Sequence, residues 1–393
     1  MPRLTRFVLV LTAIVGGLYA YVSGRLADSP GLRLVLFVPF LMVWLVPVVY
    51  WGGERDTVHP ADDWLHAASY LCMGWLNFLV LLTLLRDALL VAARVLDAPA
   101  MLSFWRDEGR WVVLAGSVLA LVAGVLFAFR GPHLRQVRIA IEGLQPALEG
   151  LRIVQISDLH VGPTIGERYV RRVVEMANAA AADLVVLTGD IVDGPPARLA
   201  RHVAPLGRLA AREQVLFVLG NHDCYSGARR WIAHFQGLGM RVLLNEYVTL
   251  ERGGARIVFG GVVDPALQAF EPGQVPRPDL AAAPQAGPAL RILLAHNPAI
   301  AVRAQAAGFD LQLSGHTHAG QFFPWTLAVR LVHGPHVAGL SRQGPMWVYV
   351  SAGTGTWGPP VRFGSEPELT VLTLVASRQA EAPAVLAARR RTA

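Results

Sequence analysis

The sequence predicts a layered α/β domain preceded by an all-α membrane domain of about four helices. The mean hydropathy of +0.42, with only 16% charged residues, is too apolar for an ordinary soluble enzyme. This excess lies in the first third of the chain, whereas short apolar runs alternate with helical patterns from residue 150 onward. We therefore divide the 393 residues into a transmembrane domain (1–130), a linker (131–149), an α/β domain (150–376) and a basic tail (377–393).

Four apolar runs in the first domain each approach the ~20 residues that a helix needs to cross the hydrocarbon core. They cover 7–22, 32–50, 65–85 and 111–129, with charges between the runs and tryptophans near their ends. A buried soluble bundle fits poorly, because Leu71–Leu85 is apolar around the whole helix. Arg3 and Arg6 precede the first run, as in a cleaved signal peptide, but we favour an uncleaved helix. Ala88–Leu96 is a candidate interfacial segment.

Membrane orientation follows only weakly from charge. Four spans place both ends of the domain on one side, and the nearby arginines divide six against six between the two sides. The arginines closest to the chain start and to the fourth span favour a cytoplasmic α/β domain. Cys72 and Cys224 form no visible disulfide framework, which agrees with that side.

The net charge of +7 does not indicate a nucleic-acid partner. All 35 basic residues are arginine, and apart from Arg389–Arg391 they are scattered rather than gathered into a stripe. Phosphate-rich partners and an anionic lipid surface explain the charge equally well. The lack of lysine excludes P-loop and Schiff-base chemistry.

The α/β domain is predicted from alternating strands and helices. Several strands are rich in Val, Ile and Leu on both faces, as expected for strands covered on both sides. The predicted strands are 151–157, 184–188, 215–219, 256–260, 291–295, 311–314, 347–350 and 369–374, and the predicted helices are 167–181, 197–212, 228–238 and 299–307.

Five blocks of metal-ligand residues each end an apolar run of this domain. They are Asp158-Leu-His160, Gly189-Asp190, Gly220-Asn221-His222-Asp223, His296-Asn297 and Gly315-His316-Thr317-His318. Alternate residues of an extended segment point the same way, and a carboxylate such as Asp190 can bridge two cations. Taken singly, Asp190 or Asn221 is explained by a turn. Two histidines one residue apart at a strand end are seldom explained by packing, so the set predicts a binuclear metal site.

In this order the blocks resemble the calcineurin-like metallophosphoesterase superfamily, over roughly residues 150–376. The run Gly315–Gln321 and the ending Gly353–Arg362 resemble its membrane-associated bacterial branch, which implies the cell inner membrane. The resemblance implies a β-sandwich flanked by helices and two divalent metals, with Mn²⁺ favoured over Fe or Zn²⁺. It assigns Asp158, His160, Asp190 and His318 to one metal and Asp190, Asn221, His296 and His316 to the other.

The implied activity is hydrolysis of a phosphodiester or pyrophosphate bond by hydroxide held between two cations. By the same resemblance, Asp193 orients His222, which stabilises charge or protonates the leaving oxygen. The membrane domain favours a lipid-linked or membrane-proximal substrate. Arg362 is a candidate phosphate clamp, with pairing to Glu366 or Glu368 an equal alternative.

Two other classes of protein are weighed against this hydrolase. A membrane protein that binds a phosphorylated ligand without turnover has no need for the His222 and Asp193 pair. A transporter carrying a regulatory hydrolase is disfavoured, because the spans lack embedded ionisable residues apart from Arg86 and Asp87.

Seven further histidines match no ligand block and are expected at surfaces or interfaces. His333 and His336 are candidates for lining the substrate entrance. The seven are His59, His66, His133, His202, His234, His333 and His336.

Overall fold

The computed structural model describes residues 2–50, 60–284, 289–377 and 385–386. The chain forms two compact units. The first is Met1–Phe129 with Gly358–Val361, and the second is Arg130–Trp357 with Arg362–Ala393. Most of the predicted basic tail, including Arg389–Arg391, lies outside the described residues.

The described part of the first unit is helical. Three of its helices are long and apolar enough to cross a membrane, at Val8–Leu26, Asp62–Val95 and Gly109–Phe129, and Pro30–Leu45 is a shorter apolar helix. Val22, Leu36, Leu79 and Val113 are among the side chains buried between them. The helices are α1 (Pro2–Leu26), α2 (Pro30–Tyr50), α3 (Pro60–Val95), α4 (Pro99–Asp107) and α5 (Gly109–Phe129).

Helix α3 corrects the expectation of a separate interfacial segment at Ala88–Leu96, because the helix continues without a break to Val95. Its embedded charges have polar partners within the unit. Arg86 donates to the carbonyl oxygen of Trp105 at 2.9 Å, and Asp87 pairs with Arg25 at 3.0 Å. Burial of paired charges costs far less than burial of single ones, so the helix tolerates both residues.

The second unit contains two mixed sheets packed face to face. One has the strand order β13-β1-β12-β2-β3-β4-β5 and the other β10-β11-β9-β8-β7-β6. Ile153, Val186 and Leu216 of the first sheet share one buried core with Ile257 and Ile292 of the second. The strands are β1 (His133–Ile141), β2 (Arg152–Ile156), β3 (Leu184–Thr188), β4 (Gln214–Val218), β5 (Arg241–Val242), β6 (Glu246–Arg252), β7 (Ala255–Gly261), β8 (Leu290–Leu294), β9 (Leu311–Ser314), β10 (Gly339–Gln343), β11 (Met346–Val350), β12 (Glu368–Ala376) and β13 (Val385–Leu386).

Helices cover the outer faces of the sandwich. Val170, Val173 and Trp231 are buried in a second core against the outer face of the first sheet. The helices are α6 (Glu167–Ala179), α7 (Pro196–Val203), α8 (Asn221–Tyr225), α9 (Ala228–Gly237), α10 (Pro278–Ala281), α11 (Ala301–Ala306) and α12 (Trp325–His333). The unit is therefore a β-sandwich flanked by helices, which confirms the predicted fold class.

The predicted linker at 131–149 is wrong, because β1 lies within it. This strand pairs in parallel with β12 from His133 opposite Glu368 to Ile141 opposite Ala376. Val137, Ile139 and Ile141 alternate into the core. Strand β1 thus begins almost directly after the end of α5 at Phe129.

Candidate metal centre

Every predicted metal ligand lies just beyond the carboxyl end of a strand. β2, β3 and β4 are parallel neighbours in one sheet, and β8 and β9 are parallel neighbours in the other. The carboxyl ends of parallel strands meet at one edge of a sheet, where loops can converge. Asp158 and His160 follow β2, Asp190 follows β3, Asn221 follows β4, His296 follows β8, and His316 and His318 follow β9.

Five of these seven residues have a left-handed backbone. This conformation costs of order 1–3 kcal/mol in a residue other than glycine, and it persists only where the surroundings enforce it. Hydrogen bonds from the amides of Asp158 and His160 to the carbonyl oxygens of Gly189 and Asp190, at 2.9 and 3.1 Å, fix the loops against each other. The φ angles are 53° at Asp158, 51° at His160, 54° at Asp190, 76° at His316 and 51° at His318. Such a concentration of strain is typical of a functional site.

Two motif glycines leave room for the carboxylates. A Cβ atom at Gly220 would collide with the carboxylate and backbone of Asp190. A Cβ atom at Gly315 would collide with Ser157 and with the Asp158 carboxylate. These positions therefore require glycine because of the close approach of another loop.

Asp158, His160 and His318 form the first cluster of potential ligand atoms. His160 Nε2 lies 3.0 Å from His318 Nε2, which in turn lies 3.3 Å from Asp158 Oδ1. Burial and the charge of His160 hold the pKa of His318 well below its ordinary value, whereas burial raises the pKa of Asp158. A neutral imidazole keeps the lone pair that a metal needs.

Asp190, His296 and His316 form the second cluster, completed by the Asn221 amide oxygen. This oxygen lies 3.2 Å from His296 Nε2 and 2.9 Å from His316 Nδ1. Burial and nearby His296 lower the pKa of His316 to about 3. Although burial opposes it, the Asp190 carboxylate raises the pKa of His296 well above its ordinary value.

The Asp190 carboxylate lies between the two clusters. Its Oδ2 atom is 3.1 Å from His296 Nε2 and 3.8 Å from His160 Nε2. Its Oδ1 atom accepts a hydrogen bond from the backbone amide of His222 at 2.7 Å. One side chain therefore reaches both groups, as a bridging ligand would.

Asp193 contacts two imidazoles rather than one. Its Oδ1 atom is 2.8 Å from His222 Nδ1 and also 2.8 Å from His160 Nδ1. Although burial opposes it, the Asp193 carboxylate raises the pKa of His222 to about 9. The same two histidines hold the pKa of Asp193 below its ordinary value against the effect of burial. The shared contact with His160 is a feature that motif spacing did not predict.

Asp223 is a further site residue, one to which the motif pattern assigns no role. Its buried carboxylate accepts hydrogen bonds from the amides of Asp190 and Gly220, both at 2.8 Å, and from those of Ile191 and Val192. It thereby fixes the loop that carries Asp190. Burial and the Asp190 charge raise the pKa of Asp223 to about 7. Its place in the Gly-Asn-His-Asp block is the signal that could have found it.

Arg362 does not lie where a phosphate clamp should. Its side chain is 0% exposed, and its guanidinium donates to the carbonyl oxygens of Gly355 at 2.6 Å and of His318 at 3.0 Å. Burial lowers the pKa of Arg362 to about 10. A guanidinium directed at backbone carbonyls in this way supports the loop of His318, so the clamp interpretation is corrected. The alternative partner Glu368 pairs with Arg135 at 3.0 Å.

Among the histidines outside the motifs, His333 is the one whose ring contacts a predicted ligand, with 5.2 Å between its centroid and that of His316 in the described structure. His336 is instead buried and bonds to Ser341 and Gln343 at 2.8 and 3.1 Å. His59 lies outside the described residues.

The donor set fits divalent cations. Within each cluster the potential ligand atoms lie within 4.8 Å of one another and combine carboxylate oxygen with imidazole nitrogen. Mixed nitrogen and oxygen ligands suit transition metals better than Ca²⁺, whose sites are built from oxygens. The second nitrogens of two of these rings are held by protein oxygens, His160 Nδ1 by Asp193 and His296 Nδ1 by the carbonyl of Thr188 at 2.8 Å. This arrangement is usual for metal-binding histidines.

Comparison with known proteins agrees with this geometry. The family model for calcineurin-like phosphoesterases matches residues 151–320. A transmembrane protein with metallophosphoesterase domain from Danio rerio is 34% identical over 336 residues, covering 81% of this chain and 75% of that protein. The protein of the same description from Bos taurus is 36% identical over 329 residues, covering 79% and 73%. An uncharacterized metallophosphoesterase from Helicobacter pylori is 34% identical over 251 residues, covering 63% and 65%. Since vertebrate and bacterial proteins both match, the likeness to a bacterial branch stays a prediction.

Proposed function

The chain belongs to the calcineurin-like metallophosphoesterase family, and from this premise we propose that it is a membrane-anchored hydrolase of phosphodiester or pyrophosphate bonds. The observation that carries the proposal is that His222, held by the Asp193 carboxylate, lies beside two converging ligand clusters. A protein that only binds a phosphorylated ligand would not need the second element. A lipid-linked substrate is part of the proposal, because the candidate membrane spans would keep the site near a bilayer.

Seven side chains would hold two divalent cations, for which Mn²⁺ is our first choice and Fe or Zn²⁺ the alternatives. One cation would take Asp158, His160 and His318, the other Asn221, His296 and His316, with Asp190 shared. Cations bound there would supply Lewis acidity, which lowers the pKa of water and withdraws charge from phosphoryl oxygens.

Residues around the predicted ligands would supply a proton to the leaving oxygen. His222 Nδ1 lies 2.8 Å from Asp193 Oδ1, so the proton carried on His222 Nε2 is available to a leaving oxygen. The carboxylate keeps this ring oriented and stabilises its charged form. Asp223 and Arg362 would act indirectly, because their hydrogen bonds fix the loops that carry Asp190 and His318.

The direct test compares wild type with Asp190→Asn after metal stripping and readdition of Mn²⁺. Bis(4-nitrophenyl) phosphate and 4-nitrophenyl phosphate are the diester and monoester probes. Wild type should bind two metal ions per chain, measured by mass spectrometry, and should prefer the diester. The variant should lose metal and at least about 100-fold in kcat/KM, because the effect of a bridging ligand should exceed that of outer-shell partners.

The outcomes separate the parts of the proposal. Equal activity of the two proteins would overturn the bridging role of Asp190. Undiminished activity without metal would overturn the mechanism. Two bound ions without turnover of either ester would favour the binding protein over the enzyme.

A further inference from the structure

Helix α12 exposes an apolar surface beside the metal centre. Leu327, Leu331 and Val332 are 63%, 89% and 75% exposed, whereas Val329 of the same helix is buried. Soluble proteins seldom expose large contiguous apolar patches without a binding function. Helices that lie in a membrane interface bury an exposed apolar surface of this kind in the bilayer.

Backbone hydrogen bonds connect this helix to the point where the chain leaves its last candidate span. That span ends at Phe129, and shortly after it the amide of His133 donates to the carbonyl oxygen of Pro367 at 2.9 Å. The carbonyl oxygen of Phe363 accepts from the amide of Phe323 at 2.8 Å, two residues before α12 begins. At ~3.5 Å per residue, neither intervening segment can separate its ends by more than about 15 Å.

Basic residues lie near the same exit point. Arg168, Arg171 and Arg172 are exposed on α6 and line one surface depression together with Glu175. Arg171 also pairs with Glu167 at 2.6 Å, so three arginines outnumber two acids on this helix face. The Arg172 guanidinium lies against Gly131, since a Cβ atom there would be 2.9 Å from its Nη1. Arginines beside the residues that directly follow a span match the negative charge of lipid headgroups.

The far end of α12 reaches the ligands, because its last residue is His333, whose ring contacts that of His316. The exposed apolar surface and the metal centre are therefore separated by at most the length of one nine-residue helix, ~14 Å at 1.5 Å per residue. A phosphate ester held by its apolar part along this helix would have its phosphate within reach of the clusters.

We propose that α12 is an interfacial helix whose Leu327, Leu331 and Val332 enter the near leaflet of the bilayer that anchors the chain. The metal centre then takes phosphate esters whose apolar part stays in that leaflet. The substrate class rests on the proposed function, whereas the docking of α12 on lipid does not.

The docking is tested with the full chain in nanodiscs of phosphatidylcholine and phosphatidylglycerol. An environment-sensitive fluorophore is attached at Leu331→Cys in a chain with Cys72→Ala and Cys224→Ala. The matched control is Leu280→Cys. Leu280 is also exposed but lies on α10, which packs on β6 and β7, at the opposite edge of the sheet from β10, the strand that follows α12. The label at 331 should shift to the blue and lose most of its emission to a nitroxide on the lipid acyl chain. An unshifted label at 331, or equal quenching at 280, would overturn the docking.

A second measurement uses the native cysteines and tests the substrate class. Leu331→Glu and Leu280→Glu are compared on soluble bis(4-nitrophenyl) phosphate and on a long-chain alkyl 4-nitrophenyl phosphate in the nanodisc. Leu331→Glu should lower kcat/KM about tenfold on the lipid ester alone, as expected when one leucine side chain no longer enters the bilayer. Leu280→Glu should leave both rates unchanged.

Loss on both substrates, or on neither, would contradict the substrate class. If wild type hydrolyses neither ester, the proposed function fails, and the fluorescence measurement still decides whether α12 docks on lipid.

Discussion

Asp193 contacts two imidazoles through one oxygen atom, because His160 and His222 both approach its Oδ1 atom at 2.8 Å. His160 is a predicted metal ligand together with Asp158 and His318. His222 is the residue to which we assign proton donation. The loss of this carboxylate should therefore disturb metal affinity and proton transfer together. The loss of His222 should disturb only the second.

We expect Asp193→Asn and His222→Asn each to lower kcat on a diester about 100-fold or more, the usual contribution of general acid catalysis. They should differ in metal content. His222→Asn should keep both ions during dialysis, while Asp193→Asn should bind metal about 10–100-fold more weakly. Metal analysis beside the kinetics checks this, and equal metal affinity in the two variants would contradict the double role.

Arg362 allows a second prediction at the residue scale. Arg362→Lys should lower the free energy of unfolding by about 1–3 kcal/mol, because lysine cannot satisfy the carbonyl oxygens of both Gly355 and His318. It should lower kcat while KM changes little. Thermal unfolding and kinetics on the soluble diester check this, and a raised KM with unchanged stability would restore the phosphate clamp.

At the scale of elements, β1 shows where pattern reading fails. Large apolar side chains occupy every second position from Val137 to Ile141. Arg135, Gln136 and Arg138, together with the preceding glycine and proline, are equally compatible with a linker. Pairing with β12, at the other end of the second unit's sequence, decides between the two. Long-range pairing of this kind cannot be predicted from the local sequence.

A pair of substitutions in β1 tests its place in the core. Ile139→Ala should destabilise the second unit by about 2–5 kcal/mol, because Ile139 is fully buried. Arg138→Ala, one residue earlier on the exposed face, should change stability by no more than about 0.5 kcal/mol. Unfolding of both variants in detergent is the measurement, and a small loss for Ile139→Ala would argue against the strand.

Site residues that belong to a local motif could be predicted from the sequence, whereas those whose role depends on the packing of distant segments could not. Asp158, His160, His316 and His318 could be found from sequence, because alternating ligand residues after an apolar run seldom arise from packing or turns alone. The rules of parallel sheets explain why β2, β3 and β4 end at one edge and why β8 and β9 end at another, whereas the meeting of the two edges depends on how the sheets pack. The role of Arg362 could not be found in this way, because burial of its guanidinium against carbonyls depends on loop packing that composition does not reveal.

For the whole molecule, the orientation of the candidate spans in a membrane would decide in which compartment the candidate metal centre works. We propose a multi-pass protein of the cell inner membrane with the second unit in the cytoplasm. A protease added to intact spheroplasts should leave this unit uncut, and cleavage should begin when the membrane is opened. A periplasmic marker protein is the control, and digestion in intact spheroplasts would reverse the orientation.

The left-handed backbone of five predicted ligands has a consequence for the evolution of the sequence. At Asp190, for example, glycine would relieve the conformational strain at φ 54° while removing the carboxylate. A lineage released from selection for hydrolysis could then gain fold stability at the very positions where it loses metal. We therefore expect related proteins that no longer hydrolyse phosphate esters to keep the fold and to carry glycine at these positions.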